Sequence, residues 1–322
     1  MLRLLGILRD PMIAVLAVAT FGALAIPATG SGKLAASWIS SAGIFLLFYL
    51  NGLRIRRSDI AAGLRNWRFF LPLALWVFGI MALLGLGFSY WAAQWLPASI
   101  ALGFLFLGAL PSTVQSATSY TVMAGGNVSL AVIGAALLNI AGVVISAPLF
   151  AVLGGGVDIA FDTGVILRVA ALLLLPFVLG QAMQGWFGGW IERHRSQTVW
   201  LDRIVIGLAV YVALSGAVEQ GIASTMDAST WAGLVTLVVL YLVAAHAGAW
   251  LAGGALGFLR PDRIAFLFSA SQKSVAVGAP LAALLLPANA AGFVLAPLLL
   301  YHLLQLVAAA PLAASLARGG TS

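Results

Sequence analysis

Apolar runs of membrane-crossing length recur from one end of this chain to the other, and no other feature constrains the fold as tightly. A bilayer core accepts a helix of roughly 17–25 apolar residues or a tilted strand of roughly 9–11. The runs here are of the longer kind, as in LPLALWVFGIMALLGLGF from Leu71 to Phe88. In lipid every backbone N–H and C=O must find its partner within the protein, so spans of this length are helices. The chain is 62% hydrophobic and 8% charged, which leaves too little polar surface to coat a soluble domain. The fold class that follows is an all-α polytopic membrane protein.

Two stretches break the apolar pattern. The first, GALPSTVQSATSYTVMAGGN from Gly108 to Asn127, is rich in Ser, Thr and Gln. Pro111 removes a backbone donor and favours a helix break. Gly125, Gly126 and Asn127 end the segment as a C-cap and turn would. The second, FSASQKSVAVGAP, runs from Phe268 to Pro280. A broken polar helix is tolerated at membrane depth only against protein or a water-lined cavity. Two such spans in matching halves of a chain point to a transport site.

The apolar runs read as about ten spans, near 11–28, 36–53, 69–93, 98–123, 127–153, 164–186, 202–220, 229–258, 262–286 and 290–316, with limits good to about 2–4 residues. Spans four and nine are the interrupted ones. If the spans alternate, Arg3, Arg9, Arg54, Arg56, Arg57, Arg65, Arg68, Arg193, Arg195, Arg203, Arg260, Arg263 and Arg318 all fall on one side. The other side holds Lys33 with Asp158, Asp162, Glu219 and Asp227, and Arg168 lies just inside span six. The positive-inside rule then puts both termini in the cytoplasm. The opening MLRLLGILRDP lacks the cleavage pattern of a signal peptide and reads as a cytoplasmic lead-in. Trp38, Trp91, Trp95, Trp186, Trp190 and Trp231 stand near span ends, where an aromatic belt belongs.

The two halves repeat. Phe104-Leu105-Phe106 returns as Phe266-Leu267-Phe268, each ahead of a polar break. Asn127 returns as Asn289 at the same offset, and Pro148-Leu149 as Pro311-Leu312 one residue further on. The expected halves are 1–157 (spans one to five) and 158–322 (spans six to ten). An odd number of spans per copy forces the copies into opposite orientations, which is the inverted repeat of many secondary transporters.

LPSTVQSATSYTVMAGGN, LLLLPFVLG (Leu172 to Gly180), SQKSVAVGAP and APLLLYHLLQL (Ala296 to Leu306) carry a resemblance. Over essentially its whole length the chain resembles the bile acid:sodium symporter superfamily, in its SBF-like branch of YfeH-type sodium-dependent transporters. The resemblance implies ten spans in two inverted repeats, divided between a panel and a core, with spans four and nine crossing at unwound centres in the core. It also implies organic-anion substrates. Sodium ligands in such proteins come from Ser and Asn at the span-four break and from a Glu–Gln segment at the span-nine break. Carried over, these fall near Gln115, Ser116 and Gln272. The implied acid is absent here, since Phe268, Ser269 and Ala270 occupy that region, and Lys273 replaces the Asn after the Gln.

Lys273 is the one Lys or Arg placed deep in a span, with no Asp or Glu deep in a span to pair with it. A charge there costs roughly 2.5–3.5 kcal/mol on insertion scales. Its expected partners are carbonyls freed at the breaks, Gln115, Ser116 and an anionic substrate. It can serve as a built-in cation, a proton carrier, an anion ligand, or a structural cap of the broken helices. Ser112, Thr113, Gln115, Ser116 and Ser119 at the first break, and Ser271, Gln272 and Ser274 at the second, are candidates for substrate or ion binding; interhelical hydrogen bonding is the alternative. His302 and Gln305 lie one turn apart on span ten and either reach the crossover or pair with each other. Asn127 reads as a cap, Asn139 as a contact to the core, His246 as packing and Glu219 as interfacial.

Enzyme chemistry finds no support. The three histidines form no cluster with carboxylates, no phosphate-binding loop is present, and Lys273 beside Ser274 points about 100° away from it on a helix. There is no cysteine for a disulfide or a thiolate metal site. The basic residues are scattered over short loops, which argues against nucleic acid. The expected function is a secondary active carrier in the inner membrane that moves a small organic anion by alternating access. Sodium or protons drive it, with no other cofactor, and the bilayer is its surroundings. A non-transporting regulator or scaffold on the same fold is the alternative.

Overall fold

The computed structural model describes residues 11–154, 170–221 and 226–318. Every regular element among them is helical. In chain order they are α1 (Pro11–Ala25), α2 (Gly30–Arg54), α3 (Arg57–Arg65), α4 (Trp67–Leu75), α5 (Met81–Ala92), α6 (Ala98–Ala109), α7 (Val114–Met123) and α8 (Val128–Leu153). The second half supplies α9 (Leu175–Arg193), α10 (Arg195–Glu219), α11 (Ala228–Ala255), α12 (Arg260–Ser271), α13 (Val275–Leu285) and α14 (Ala288–Arg318). A π turn (Trp76–Ile80) joins α4 to α5, and another (Ala170–Leu174) leads into α9.

Among the described residues, seven helical runs are long and apolar enough to cross a membrane, and α6 with α7, bent by 63° at their break, makes an eighth. The protein is a multi-pass helical membrane protein. Arg3, Arg9, Asp158, Asp162 and Arg168, the junction of the two sequence halves and the start of span six lie outside the described residues. The six belt tryptophans are all exposed.

Two inter-span loops read from the sequence turn out to be mostly helical. The stretch between spans six and seven shrinks to His194, with Arg193 ending α9 and Arg195 and Arg203 on α10. The stretch between spans two and three contains α3. Hydropathy marks where a helix leaves the hydrocarbon, not where its backbone stops, and neither stretch holds a proline to exclude helix.

The chain folds as two compact units, each drawing on both sequence halves. The first comprises Met1–Arg57, Gly154–Asp227 and Ala276–Ala296. In it α2 and α9 cross at Gly52 and Gly180, where an added Cβ would lie 2.3 Å from the Phe177 carbonyl and 2.2 Å from that of Tyr49. Glycine is required at both positions by this close approach. Beside the crossing, Gln181 Nε2 donates to the carbonyls of Gly52 (2.6 Å) and Ile55 (2.8 Å), which the end of α2 leaves open. Arg54 pairs with Asp202 and with Asn51, Arg56 pairs with Glu192, and at the other end of the unit Lys33 pairs with Glu219.

The second unit comprises Ser58–Leu153, Ala228–Val275 and Pro297–Ser322. Its core is an aromatic and aliphatic cluster in which Phe69, Phe70, Phe266 and Phe268 are buried. α5 and α6 approach at Gly85 and Gly108, where a Cβ on Gly108 would lie 2.5 Å from the Met81 carbonyl. α7 ends as the sequence predicts. Gly125 takes φ +72°, and Gly126 N–H reaches back to the Thr121 carbonyl at 2.8 Å in a Schellman turn. Asn127 is a cap: its Oδ1 accepts from Leu130 N–H, its N–H donates to the Pro261 carbonyl, and its Nδ2 donates to Asp262 at 2.9 Å.

A candidate site at two broken helices

Both predicted breaks are present, and both lie in the second unit. α6 stops at Ala109 and the helix resumes at Val114; α12 stops at Ser271 and resumes at Val275. Ala109 and Ser271 stand in the same register as Phe104 and Phe266, so the two half-helices end at equivalent positions. The breaks touch each other: Ser274 N–H donates to the Pro111 carbonyl at 3.1 Å.

A break at membrane depth must satisfy the carbonyls that the helix end leaves open. Here the partners come from elsewhere in the unit. The Lys273 ammonium donates to the carbonyls of Leu110 (2.7 Å), Gly108 (2.9 Å) and Val77 (3.4 Å). Gly108 and Leu110 lie at the C-terminal end of α6, the negative end of its dipole. Asn139 on α8 donates to the Ser112 carbonyl at 3.1 Å. At the second break, Tyr301 Oη donates to the Ser271 carbonyl at 2.6 Å.

Gln305 on α14 holds the unwound peptide itself. Its Oε1 accepts from Lys273 N–H at 2.8 Å, and its Nε2 donates to the Lys273 carbonyl at 3.1 Å. That pairing fixes which end of the amide is oxygen. The remaining Nε2 hydrogen points to His302 Nδ1 at 2.9 Å, so Nδ1 is the acceptor and carries no proton. The two readings of His302 and Gln305 therefore hold together: they pair with each other, and Gln305 reaches the crossover.

The site residues read from the sequence divide into two groups. Ser112, Ser271, Gln272, Lys273, Ser274, His302 and Gln305 are all buried in one region of the second unit. Ser271 Oγ bonds back to the Leu267 carbonyl. Gln115 and Ser119 on α7 are exposed, and Thr113 and Ser116 hydrogen-bond to each other. Lys273 takes backbone carbonyls as its partners in place of Gln115 and Ser116, because the end of α6 offers acceptors within reach that otherwise have none. Gln272, a suggested sodium ligand, is fully buried, and both polar atoms of its amide lack a hydrogen-bond partner among the described residues. Ser112 Oγ and Ser269 Oγ are buried in the same state. Gln115, its suggested co-ligand, is exposed on α7. His246 packs as expected, with Nδ1 against the Leu242 carbonyl.

Tyr301 is not among the residues that sequence reasoning selects. A tyrosine inside an apolar run reads as packing, and only its hydroxyl, aimed at a helix end, marks it as a cap.

A multi-pass helical protein with two broken helices that touch beside a buried lysine has the form of a membrane transporter. The chain matches the model of the SBF-like CPA transporter family over residues 10–318, and it is a member of that family. It is 35% identical to the Uncharacterized protein PA2026 of Pseudomonas aeruginosa over 311 residues, covering 95% of this chain and 91% of that one. It is 33% identical over 308 residues to a relative from Escherichia coli (strain K12) named "Putative symporter YfeH", with 94% and 92% covered. Sodium/bile acid cotransporter 7 of Mus musculus is similar at 22% identity over 287 residues, with 84% and 80% covered. The names of these last two denote transport, not catalysis.

Proposed function

We infer that this protein is a secondary active transporter that carries a small organic anion across the membrane by alternating access. The observation that carries the reading is a buried ammonium at two touching helix breaks, in a unit whose acids, Asp59 and Asp262, form no ion pair with it among the described residues. A positive crossover of this kind attracts an anion. The orphaned amide of Gln272 and the hydroxyls of Ser112 and Ser269 supply polar groups for a guest at the same breaks.

In this reading the chain has ten spans in two inverted repeats, 1–157 and 158–322, with spans four and nine discontinuous. The first compact unit corresponds to the panel and the second to the core. Sodium or protons drive transport, the membrane is the bacterial inner membrane, and both termini are cytoplasmic. Relatives whose names denote symport or sodium-coupled cotransport support this class.

The test is the melting temperature of the purified protein against a panel of small organic acids, with sodium present or absent, across pH. Uptake of any acid that raises it is then measured in proteoliposomes. A ligand that binds only the folded state raises Tm by mass action. The expected result is an acid-specific rise and accumulation driven by a sodium or proton gradient. A panel in which no acid shifts Tm and none enters the vesicles overturns the transport reading and favours a scaffold on a transporter fold.

A further inference from the structure

We propose that Lys273 is a tethered cation: its ammonium fills a carbonyl site that takes a free monovalent cation once the side chain is removed. For transport, which rests on the reading above, this means that no free cation is needed at this position while Lys273 is in place.

Stoichiometry is the first argument. An ammonium has three N–H donors. Three carbonyl oxygens, those of Val77, Gly108 and Leu110, receive them. Two of the contacts are short and the third, to Val77, is long at 3.4 Å, so the protein's own carbonyls engage the group from three sides. Lys273 acts on an anion through its field and not as a direct ligand. Converging backbone carbonyls that replace a hydration shell are also how proteins hold bare monovalent cations. The three oxygens come from a π turn and from the negative end of a half-helix, so each is a neutral acceptor and the site as a whole is set for one positive charge.

The second argument is that the site does not depend on the side chain for its shape. The Lys273 peptide is clamped at both its N–H and its C=O by Gln305. Ser271 is held by Tyr301, and Ser274 N–H is held by Pro111. Gly108 is seated against Met81 and Gly85 by the close crossing of α5 and α6. Truncation at Cβ leaves these contacts in place and removes only the charge and its stem. What remains is a buried group of carbonyls at a helix C-terminus without a donor, a state that costs free energy until a cation or water relieves it.

The experiment compares wild type, Lys273→Ala and Lys273→Met in detergent at constant ionic strength, with chloride salts of sodium, potassium, methylammonium or the bulky N-methylglucamine. Tm and the monodisperse fraction on size exclusion are read. The wild type is expected to depend on the cation less than Lys273→Ala does. Lys273→Ala is expected to melt lowest in N-methylglucamine and to gain several degrees, saturably, with at least one of the small cations. Lys273→Met fills the stem volume without charge and is expected to be less stable than wild type in every salt. The proposal is overturned if Lys273→Ala is insensitive to the cation, if it cannot be recovered folded in any of the salts, or if Lys273→Met matches wild type. None of these readings uses transport, so a failure to find a substrate leaves this test intact.

Discussion

Replacing Gln305 with Met isolates the clamp on the unwound peptide. Methionine matches glutamine in length and flexibility, so Gln305→Met removes the amide without opening a large cavity. Two buried backbone groups lose their partners, the N–H and the C=O of Lys273, at 2.8 and 3.1 Å in the native clamp. A buried backbone donor or acceptor left unsatisfied costs about 1–3 kcal/mol, so the pair costs about 2–6 kcal/mol. At roughly 2 °C per kcal/mol for a chain of this size, Tm falls by about 4–12 °C. His302 Nδ1 also loses its donor, which adds to the same direction. Two measurements apply: Tm in detergent at one fixed scan rate, and hydrogen exchange of peptides spanning residues 272–274. Exchange at the Lys273 amide is expected to accelerate by at least tenfold, because its acceptor is gone. A variant that melts within about 1 °C of wild type with unchanged exchange at that amide refutes the clamp.

Two further outcomes test the frame around the site. Gly108→Ala places a methyl 2.5 Å from the Met81 carbonyl, with backbone on both sides and no flexible chain to yield. It is expected to cost about 1–3 kcal/mol or more and to lower Tm, whereas Gly87→Ala, with open space at its Cβ, is expected to leave Tm unchanged. In the first unit Arg56 and Glu192 are more than half exposed, while Arg54 and Asp202 are largely buried. Arg56→Ala is therefore expected to change stability by less than about 1 kcal/mol, and Arg54→Ala to cost about 1–3 kcal/mol because Asp202 and Asn51 lose a charged partner. Equal effects from the two variants would sink the distinction.

The breaks were legible because helix-stopping chemistry is local. Pro111 lacks a donor and the serines around it compete for the backbone, so the interruption is written into a few neighbouring residues. Gly125 announces the end of α7 for the same kind of reason. Lys273 was legible as an anomaly, a charge where lipid forbids one. Its partners were not, since they are backbone carbonyls, and a carbonyl looks the same in every sequence. Gly108 becomes an acceptor only through the bend at Pro111, and Val77 only through the π turn at Trp76–Ile80. The exposed face of Gln115 was hidden too, because the break leaves the azimuth of α7 to tertiary packing.

The two breaks solve one backbone problem in two ways, and the difference explains where the functional charge sits. Taking Ala109 and Ser271 as equivalent ends, Pro111 and Lys273 are equivalent residues. Proline has no N–H, so the first break presents no orphan donor at that position and needs no acceptor for one. The facing helix α8 supplies Gly142, against which the Pro111 ring packs so closely that a Cβ would come within 2.5 Å of Cγ. Lysine does have an N–H, and the facing helix α14 supplies Gln305 to receive it. A ring fills space at the first break; at the second, a long chain is free to leave its own backbone and serve the carbonyls of the other break. The first break has no long side chain that reaches these carbonyls and takes the partners of Gly108, Leu110 and Pro111 from the second. Moving the lysine to the proline position would therefore not be neutral. Pro111→Lys with Lys273→Pro places an N–H against Gly142, which has no side-chain acceptor, and removes the donor that Gln305 Oε1 requires. The residue at each break is matched to its own facing helix: Pro111 to Gly142 on α8, Lys273 to Gln305 on α14.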